Sequence, residues 1–202
     1  MNQFDFINYF IQRSYVRCGI DGRSGAGKTN LAIYLIKELK KQTKRKVYSN
    51  IWLSFKHKTV TKDMIKTLPD ELNNSILFLD ELHIWGADSY KFLSTQAEFL
   101  TLLFTQLRKR NIILIYTTQS FQGQINKRLR KNTDMVFHCT NVEYLNQSLL
   151  PKNSKGTLMV TAAVEVHFVD EFTGDEYEQA VSTFLFDGKP YWKNYNTYEV
   201  VT

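Results

Sequence analysis

A chain of 202 residues, 43% apolar and 14% aromatic, suits one packed domain with a small appendage, and excludes both two full domains and a wholly disordered chain. Two distant cysteines, Cys18 and Cys139, exclude a disulfide scaffold and offer no zinc spacing. The net charge of +6 is unevenly divided: residues 1–155 hold 24 Lys and Arg against 12 Asp and Glu, and residues 156–202 hold 2 against 8. The first part suits a polyanionic partner, with solvated charge as the plain alternative, and the second a docking or interface element.

In chain order, the start MNQFDFINYFIQR carries Asp5 and lacks a basic segment followed by an apolar one, so it is not a signal peptide. No apolar run approaches the roughly 20 residues of a bilayer span, and a soluble, non-secreted protein is expected. A strand is predicted at about Tyr15–Ile20, then the loop DGRSGAGKT, then a helix over about Gly27–Lys41 with Leu31, Leu35 and Leu39 on one face. The end of that helix, KELKKQTKRK, places cations at the negative end of the dipole, which reads as a solvated helix end. A short strand near Val47–Asn50 leads into a polar, lysine-rich connection through Asp70.

The run Ile76–Leu79 is apolar throughout and suits a strand covered on both faces. A helix over about Ser94–Arg108, a second buried strand at Ile112–Tyr116 and the polar helix INKRLRKN lead to a strand at Asp134–Cys139. Alternating strands and helices predict an α/β fold with a mainly parallel sheet. Leu158–Val169 and Ala180–Phe186, separated by the turn residues 170–175, predict an antiparallel hairpin on one edge. A single domain over 1–202 is expected, with a core at about 14–140 and the hairpin extension at about 156–202.

Gly22-Arg23-Ser24-Gly25-Ala26-Gly27-Lys28-Thr29 is a full G-x-x-x-x-G-K-T, with Asn30 following it into the helix. Its glycines let backbone N–H groups surround phosphate oxygens, Lys28 reaches the β and γ phosphates of ATP, and the Thr29 hydroxyl ligates Mg²⁺. Asp80 and Glu81 leave the end of the buried strand, where open α/β sheets bind ligands. Asp80 suits the Mg²⁺ shell, and Glu81 suits orienting and deprotonating an attacking water. A carboxylate for water favours hydrolysis over phosphoryl transfer to a metabolite.

Gln119, at the end of the next strand, is placed to sense the γ-phosphate or the water. Arg108-Lys109-Arg110 and Lys127-Arg128-Leu129-Arg130-Lys131 supply guanidinium groups for transition-state charge, phosphate contacts for DNA, or plain solvated charge. His57, His83, His138 and His167 form no metal constellation, and Trp85 receives no role. Both cysteines fall in predicted strands and read as core thiols.

The order GRSGAGKT, ILFLDE, LRKRNIILIYTTQ, INKRLRKN resembles the FtsK–HerA superfamily of DNA-pumping ATPases over about Val16–Cys139. Its short length resembles the genome-packaging ATPases of tailless icosahedral viruses, including archaeal turreted viruses, and it is also similar to Zot-like assembly ATPases of filamentous phages. The resemblance implies a RecA-like P-loop NTPase working as a hexameric or similar ring. It implies Gln119 as the family glutamine and Arg108, eleven positions earlier, as an arginine acting across the ring interface. Arg130 matches a second basic residue facing a neighbour's nucleotide.

The family's usual glycine after the first arginine is absent, since Lys109-Arg110-Asn111 occupies that stretch, so Arg110 stays open beside Arg108 and Arg130. The implied function is translocation of double-stranded DNA without sequence reading, into a capsid or with another virion protein, in the host cytoplasm or on the virion. The alternatives are a Zot-like ATPase with a protein partner and a non-hydrolysing nucleotide-dependent module.

Overall fold

The computed structural model describes residues 6–85, 95–145, 157–169 and 176–195. Helix α1 (Phe6–Gln12) precedes strand β1 (Val16–Asp21), helix α2 (Lys28–Thr43) and strand β2 (Lys46–Ser49). The polar, lysine-rich connection carries strand β3 (Lys58–Thr59), helix α3 (Lys62–Thr67) and a 3₁₀ turn at Asp70–Leu72. These pieces are too short for periodicity to reveal, and tertiary contacts hold them: Ile65, Leu68 and Leu72 are buried.

Strand β4 (Ser75–Leu79), a 3₁₀ turn at Leu82–Trp85, helix α4 (Thr95–Arg110) and strand β5 (Ile113–Thr118) follow. Helices α5 (Phe121–Gln124) and α6 (Lys127–Lys131) then lead to strands β6 (Met135–Leu145), β7 (Thr157–Val169) and β8 (Glu176–Asp187). The hairpin turn expected at 170–175 lies outside the described residues, as does the expected first residue of α4, Ser94.

One eight-stranded sheet has the order β3-β2-β4-β5-β1-β6-β7-β8. The first six are parallel, and β7 and β8 add antiparallel beyond β6, so the mainly parallel α/β fold of RecA-like P-loop NTPases and its C-terminal hairpin are both present. Alternation within each strand divides the core. Cys18, Ile20, Ile76, Phe78, Ile113 and Ile115 pack beneath α1 and α2. Leu77, Leu79, Leu114, Tyr116 and Val136 face the other way, against α3, α4, α5 and α6. Both central strands are therefore apolar on two faces, as their sequences required.

This order places β5 between β1 and β4. The carboxyl ends of these three strands meet at one edge of the sheet, and the chemistry gathers there.

Candidate nucleotide site

The phosphate loop leaves the end of β1. Gly22, Gly25 and Gly27 have φ of 142°, 79° and 86°, in the region that L side chains avoid. Gly22 has a second constraint: a Cβ there would lie 2.4 Å from the Cys139 carbonyl oxygen of β6. Arg23, Ser24 and Gly25 form the exposed crest, and Ala26 N–H donates to the Arg23 carbonyl at 3.1 Å, closing the turn.

Gly27 caps α2 with no side-chain acceptor, so the first N–H groups of this 16-residue helix keep their capacity for an anion. The Lys28 ammonium is buried and donates to the carbonyls of Gly22 (2.9 Å) and Arg23 (3.1 Å), lying across the loop. Asn30 turns away from the crest: its Nδ2 donates to the Gly188 carbonyl at 2.8 Å, on the segment after β8.

Thr29 and Asp80 come together as expected, with Thr29 Oγ1 donating to Asp80 Oδ1 at 3.1 Å. Thr117, on the intervening β5, donates to the same oxygen at 2.8 Å and accepts the Glu81 N–H at 2.9 Å. Asn50 grips the Asp80 backbone from the other side: its Oδ1 accepts the Asp80 N–H at 2.7 Å, and its Nδ2 donates to the Asp80 carbonyl at 2.9 Å. Burial pushes the Asp80 carboxyl above its ordinary value against the hydroxyl bonds that lower it.

A desolvated carboxylate beside a threonine hydroxyl, below an uncapped helix start, is a donor set that fits Mg²⁺ and a phosphate chain. Glu81 takes a left-handed backbone, φ 52°, a strain of about 1–2 kcal/mol for a residue with a Cβ. Its Oε2 is 3.2 Å from His83 Nδ1.

Gln119 leaves β5 at the same edge of the sheet with an exposed side chain. Its turn is held by Gln124, whose Oε1 accepts from Thr118 Oγ1 (2.9 Å), Gln119 N–H (3.0 Å) and Ser120 N–H (3.3 Å). The arginines stand apart from this group. Arg108 is exposed in the last turn of α4, before the start of β5, so roughly 17 Å of strand separates it from the phosphate edge of its own chain. Arg110 Nη1 donates to Asn73 Oδ1 at 2.9 Å at that far end. Arg130 is half-buried, and its Nη1 donates to the carbonyls of Gln122 and Ile125 in its own chain.

Thr117, Asn50 and Gln124 carry no sequence signal of a role. The pair Thr117-Thr118 before Gln119 was visible, but nothing in a strand end distinguishes a threonine that bridges two acids from one that does not. Cys18 and Cys139 are buried, and burial raises both thiols, Cys139 to about 12, in keeping with core thiols. No helix among the described residues is long and apolar enough to cross a membrane.

The family described as "ATPase family associated with various cellular activities (AAA)" matches residues 20–141. No curated protein sequence matches the chain. Among solved structures, the N-terminal domain of zonular occludens toxin from Neisseria meningitidis is similar with a TM-score of 0.55 and 17% identity, covering 90% of this chain and 99% of that one. The genome packaging NTPase B204 of Sulfolobus turreted icosahedral virus 2, in complex with ATP-γS, has a TM-score of 0.51 at 12% identity, covering 82% and 97%. The KaiC-like protein PH0186 of Pyrococcus horikoshii also has a TM-score of 0.51 at 12% identity, covering 84% and 88%.

Proposed function

This chain belongs to the AAA family of ATPases, and from that premise we propose that it hydrolyses ATP with Mg²⁺ to translocate double-stranded DNA, as a ring-forming motor of the FtsK–HerA type serving viral genome packaging. The observation that carries the hydrolytic part is the convergence on Asp80. Two hydroxyls, Thr29 from the first turn of α2 and Thr117 from the end of β5, meet one buried carboxylate oxygen, and Glu81 follows in a strained backbone held by the same Thr117.

Bound ATP and Mg²⁺ supply the scissile phosphoanhydride and the charge neutralisation around it. The chain's part is geometric and electrostatic. The loop N–H groups and Lys28 hold phosphate charge, while Thr29 and Asp80 are the residues for the metal. Glu81 accepts a proton from the attacking water, and Gln119 orients that water or the γ-phosphate. The chain is read as one motor domain over 1–202 with its extension attached.

A ring supplies what one chain lacks. Arg108 lies at the far end of β5 from its own phosphate loop, so it serves a nucleotide only on a neighbouring subunit; Arg110 and Arg130 are the other candidates. The exposed Lys56, Lys58, Lys62 and Lys66, and Lys127–Lys131, are the surfaces for DNA phosphates, with capsid or another virion protein as the further partner. Lys58 pairs with Glu71 at 2.8 Å and Lys66 with Asp63 at 3.1 Å, so Lys56 and Lys62 are the stronger of the first group.

A second reading, a Zot-like ATPase acting on a protein partner, draws on the extension. Among the described residues β8 ends the sheet and offers a strand edge for pairing.

The deciding experiment measures ATP turnover with and without double-stranded DNA, across salt and with EDTA, for the unaltered chain and Glu81→Gln. DNA stimulation that falls steeply with salt, loss of turnover with EDTA, and a Glu81→Gln variant that binds ATP but turns it over at least ~100-fold more slowly are expected. Turnover indifferent to nucleic acid turns the assignment to the protein-partner reading. Absence of turnover in the unaltered chain leaves the non-hydrolysing module.

A further inference from the structure

We propose that Asp21, His138 and Glu165 form a clamp through which the antiparallel extension positions the phosphate loop and the turn carrying Gln119. Its catalytic consequence rests on the ATPase reading above, while its existence rests on geometry alone.

Asp21 is the last residue of β1, immediately before Gly22, and its two oxygens are divided between two structures. Oδ2 accepts the Phe121 N–H at 2.9 Å, two residues beyond Gln119. Oδ1 takes His138 Nδ1 at 2.6 Å. An ionised carboxylate only accepts, so His138 Nδ1 carries the proton. On the other side of the ring, His138 Nε2 lies 3.2 Å from Glu165 Oε2 of β7. An imidazole facing carboxylates from both nitrogens is held as the cation, and the hydrogen bond to Asp21 raises His138 to about 9. β6 is flanked by β1 and β7 alone, and Asp21 and Glu165 are the charged groups acting on the ring from those strands among the described residues.

The backbone repeats the contact. Cys139, next to His138, lays its carbonyl against Gly22 so closely that no Cβ fits. One residue later the β6–β7 register shifts, between Cys139 and Asn141, and the β7–β8 register shifts between Val164 and Glu165. Such irregularities re-aim nearby side chains, and here one follows His138 closely while the other falls at Glu165.

The loop is also tied at its other end, because Asn30 of α2 donates to the Gly188 carbonyl just past β8. The extension therefore grips the phosphate loop ahead of it through Asp21 and behind it through Asn30. None of these three clamp residues touches the Thr29–Asp80 pair, so they act as positioning residues. Anything that docks on the hairpin and displaces Glu165 reaches the loop by this route.

The test uses the full chain and reads ATP-γS affinity, ATP turnover and thermal midpoint for His138→Gln and Glu165→Gln. His138→Gln is expected to lower ATP-γS affinity and turnover by ~10-fold each, and Glu165→Gln by ~3-fold, with midpoints within a few degrees of the unaltered chain. The unaltered chain loses ATP-γS affinity as pH rises through about 9, and His138→Gln shows no such step.

Variants that match the unaltered chain within twofold in affinity and turnover, whatever their midpoints, overturn the clamp and leave a structural ion pair. Should His138→Gln fail to fold, Glu165→Gln decides by the same readings. If the unaltered chain binds ATP-γS but hydrolyses nothing, the ATPase reading falls and the affinity arm still judges the clamp; if it binds nothing, both fall.

Discussion

Asp80 stands where three strand ends meet, and its surroundings explain why a single acid needs two hydroxyls. Burial above all, and the neighbouring Glu81 charge after it, drive its carboxyl toward the neutral form, and the bonds from Thr117 and Thr29 oppose that drift. Thr117 does two tasks at once, donating to Asp80 and accepting from the strained Glu81. Thr117→Val, which keeps the shape and removes the hydroxyl, leaves a buried acceptor and an N–H without this partner. It is expected to lower stability by about 1–3 kcal/mol, seen in a denaturant midpoint, and to slow turnover more than it weakens ATP binding.

Lys28, Thr29, Asp80 and Glu81 were legible because their chemistry is written in contiguous residues beside glycine or an apolar run. Thr117 and Asn50 were not, because each acquires its role only from a partner more than 25 residues away in the chain.

At the scale of elements, the phosphate loop is shaped by its neighbours as much as by its glycines. Gly22 combines φ 142° with the Cys139 carbonyl where a Cβ would sit. Gly22→Ala must therefore strain its backbone and push β6 away, and a loss of at least ~2 kcal/mol in unfolding free energy is expected together with loss of nucleotide binding. Gly25, whose Cβ would meet nothing within 4 Å, is constrained by its φ of 79° alone.

The turn after β5 depends on α5, whose Gln124 gathers three donors onto one oxygen. Gln124→Ala releases that turn; a several-fold fall in kcat with KM for ATP nearly unchanged is expected, read from steady-state kinetics. The long strands and helices were legible from apolar runs and helical spacing. α1, α3 and β3 were not, since a helix of 6 or 7 residues or a strand of 2 carries too few turns to show a period.

At the scale of the molecule, the acidic C-terminal part is less detached than its charge implied. Glu165 is engaged with His138, and Tyr34 of α2 stacks on Phe186 at 5.1 Å between ring centroids. Beyond β8 the chain crosses to the loop after β2, where the Asn194 side-chain oxygen accepts from Lys37 and Ser54 at 2.8 Å each, and Leu53 bridges Tyr195. The Tyr195 phenol is pushed up to about 12 by burial, with the Asp80 charge adding to it.

The clamp gives the whole fold a pH signature. His138 is raised from 6.5 to about 9, so its stabilising contribution is complete below about pH 6.5 and is lost as pH rises through 9. Partial exposure screens the pair, and about 1 kcal/mol is the expected difference. Unfolding midpoints of the unaltered chain and His138→Gln should draw together as pH rises from about 6.5 through about 9.

What the sequence by itself determined was local: a loop that only glycines permit, two acids at the end of a strand apolar on both faces, and the alternation that makes a parallel sheet. Those features follow from backbone sterics and burial within a few residues of one another. The order of the strands belongs to the tertiary structure. It set β5 between β1 and β4, which gave Thr117 its two partners and carried Arg108 to the far end of the sheet. It also joined β6 to β1, which turned a histidine without a sequence-level role into the link between the extension and the phosphate loop. Hydrogen bonds among residues 36 to 158 positions apart exist only once the sheet has assembled, and no local pattern encodes them.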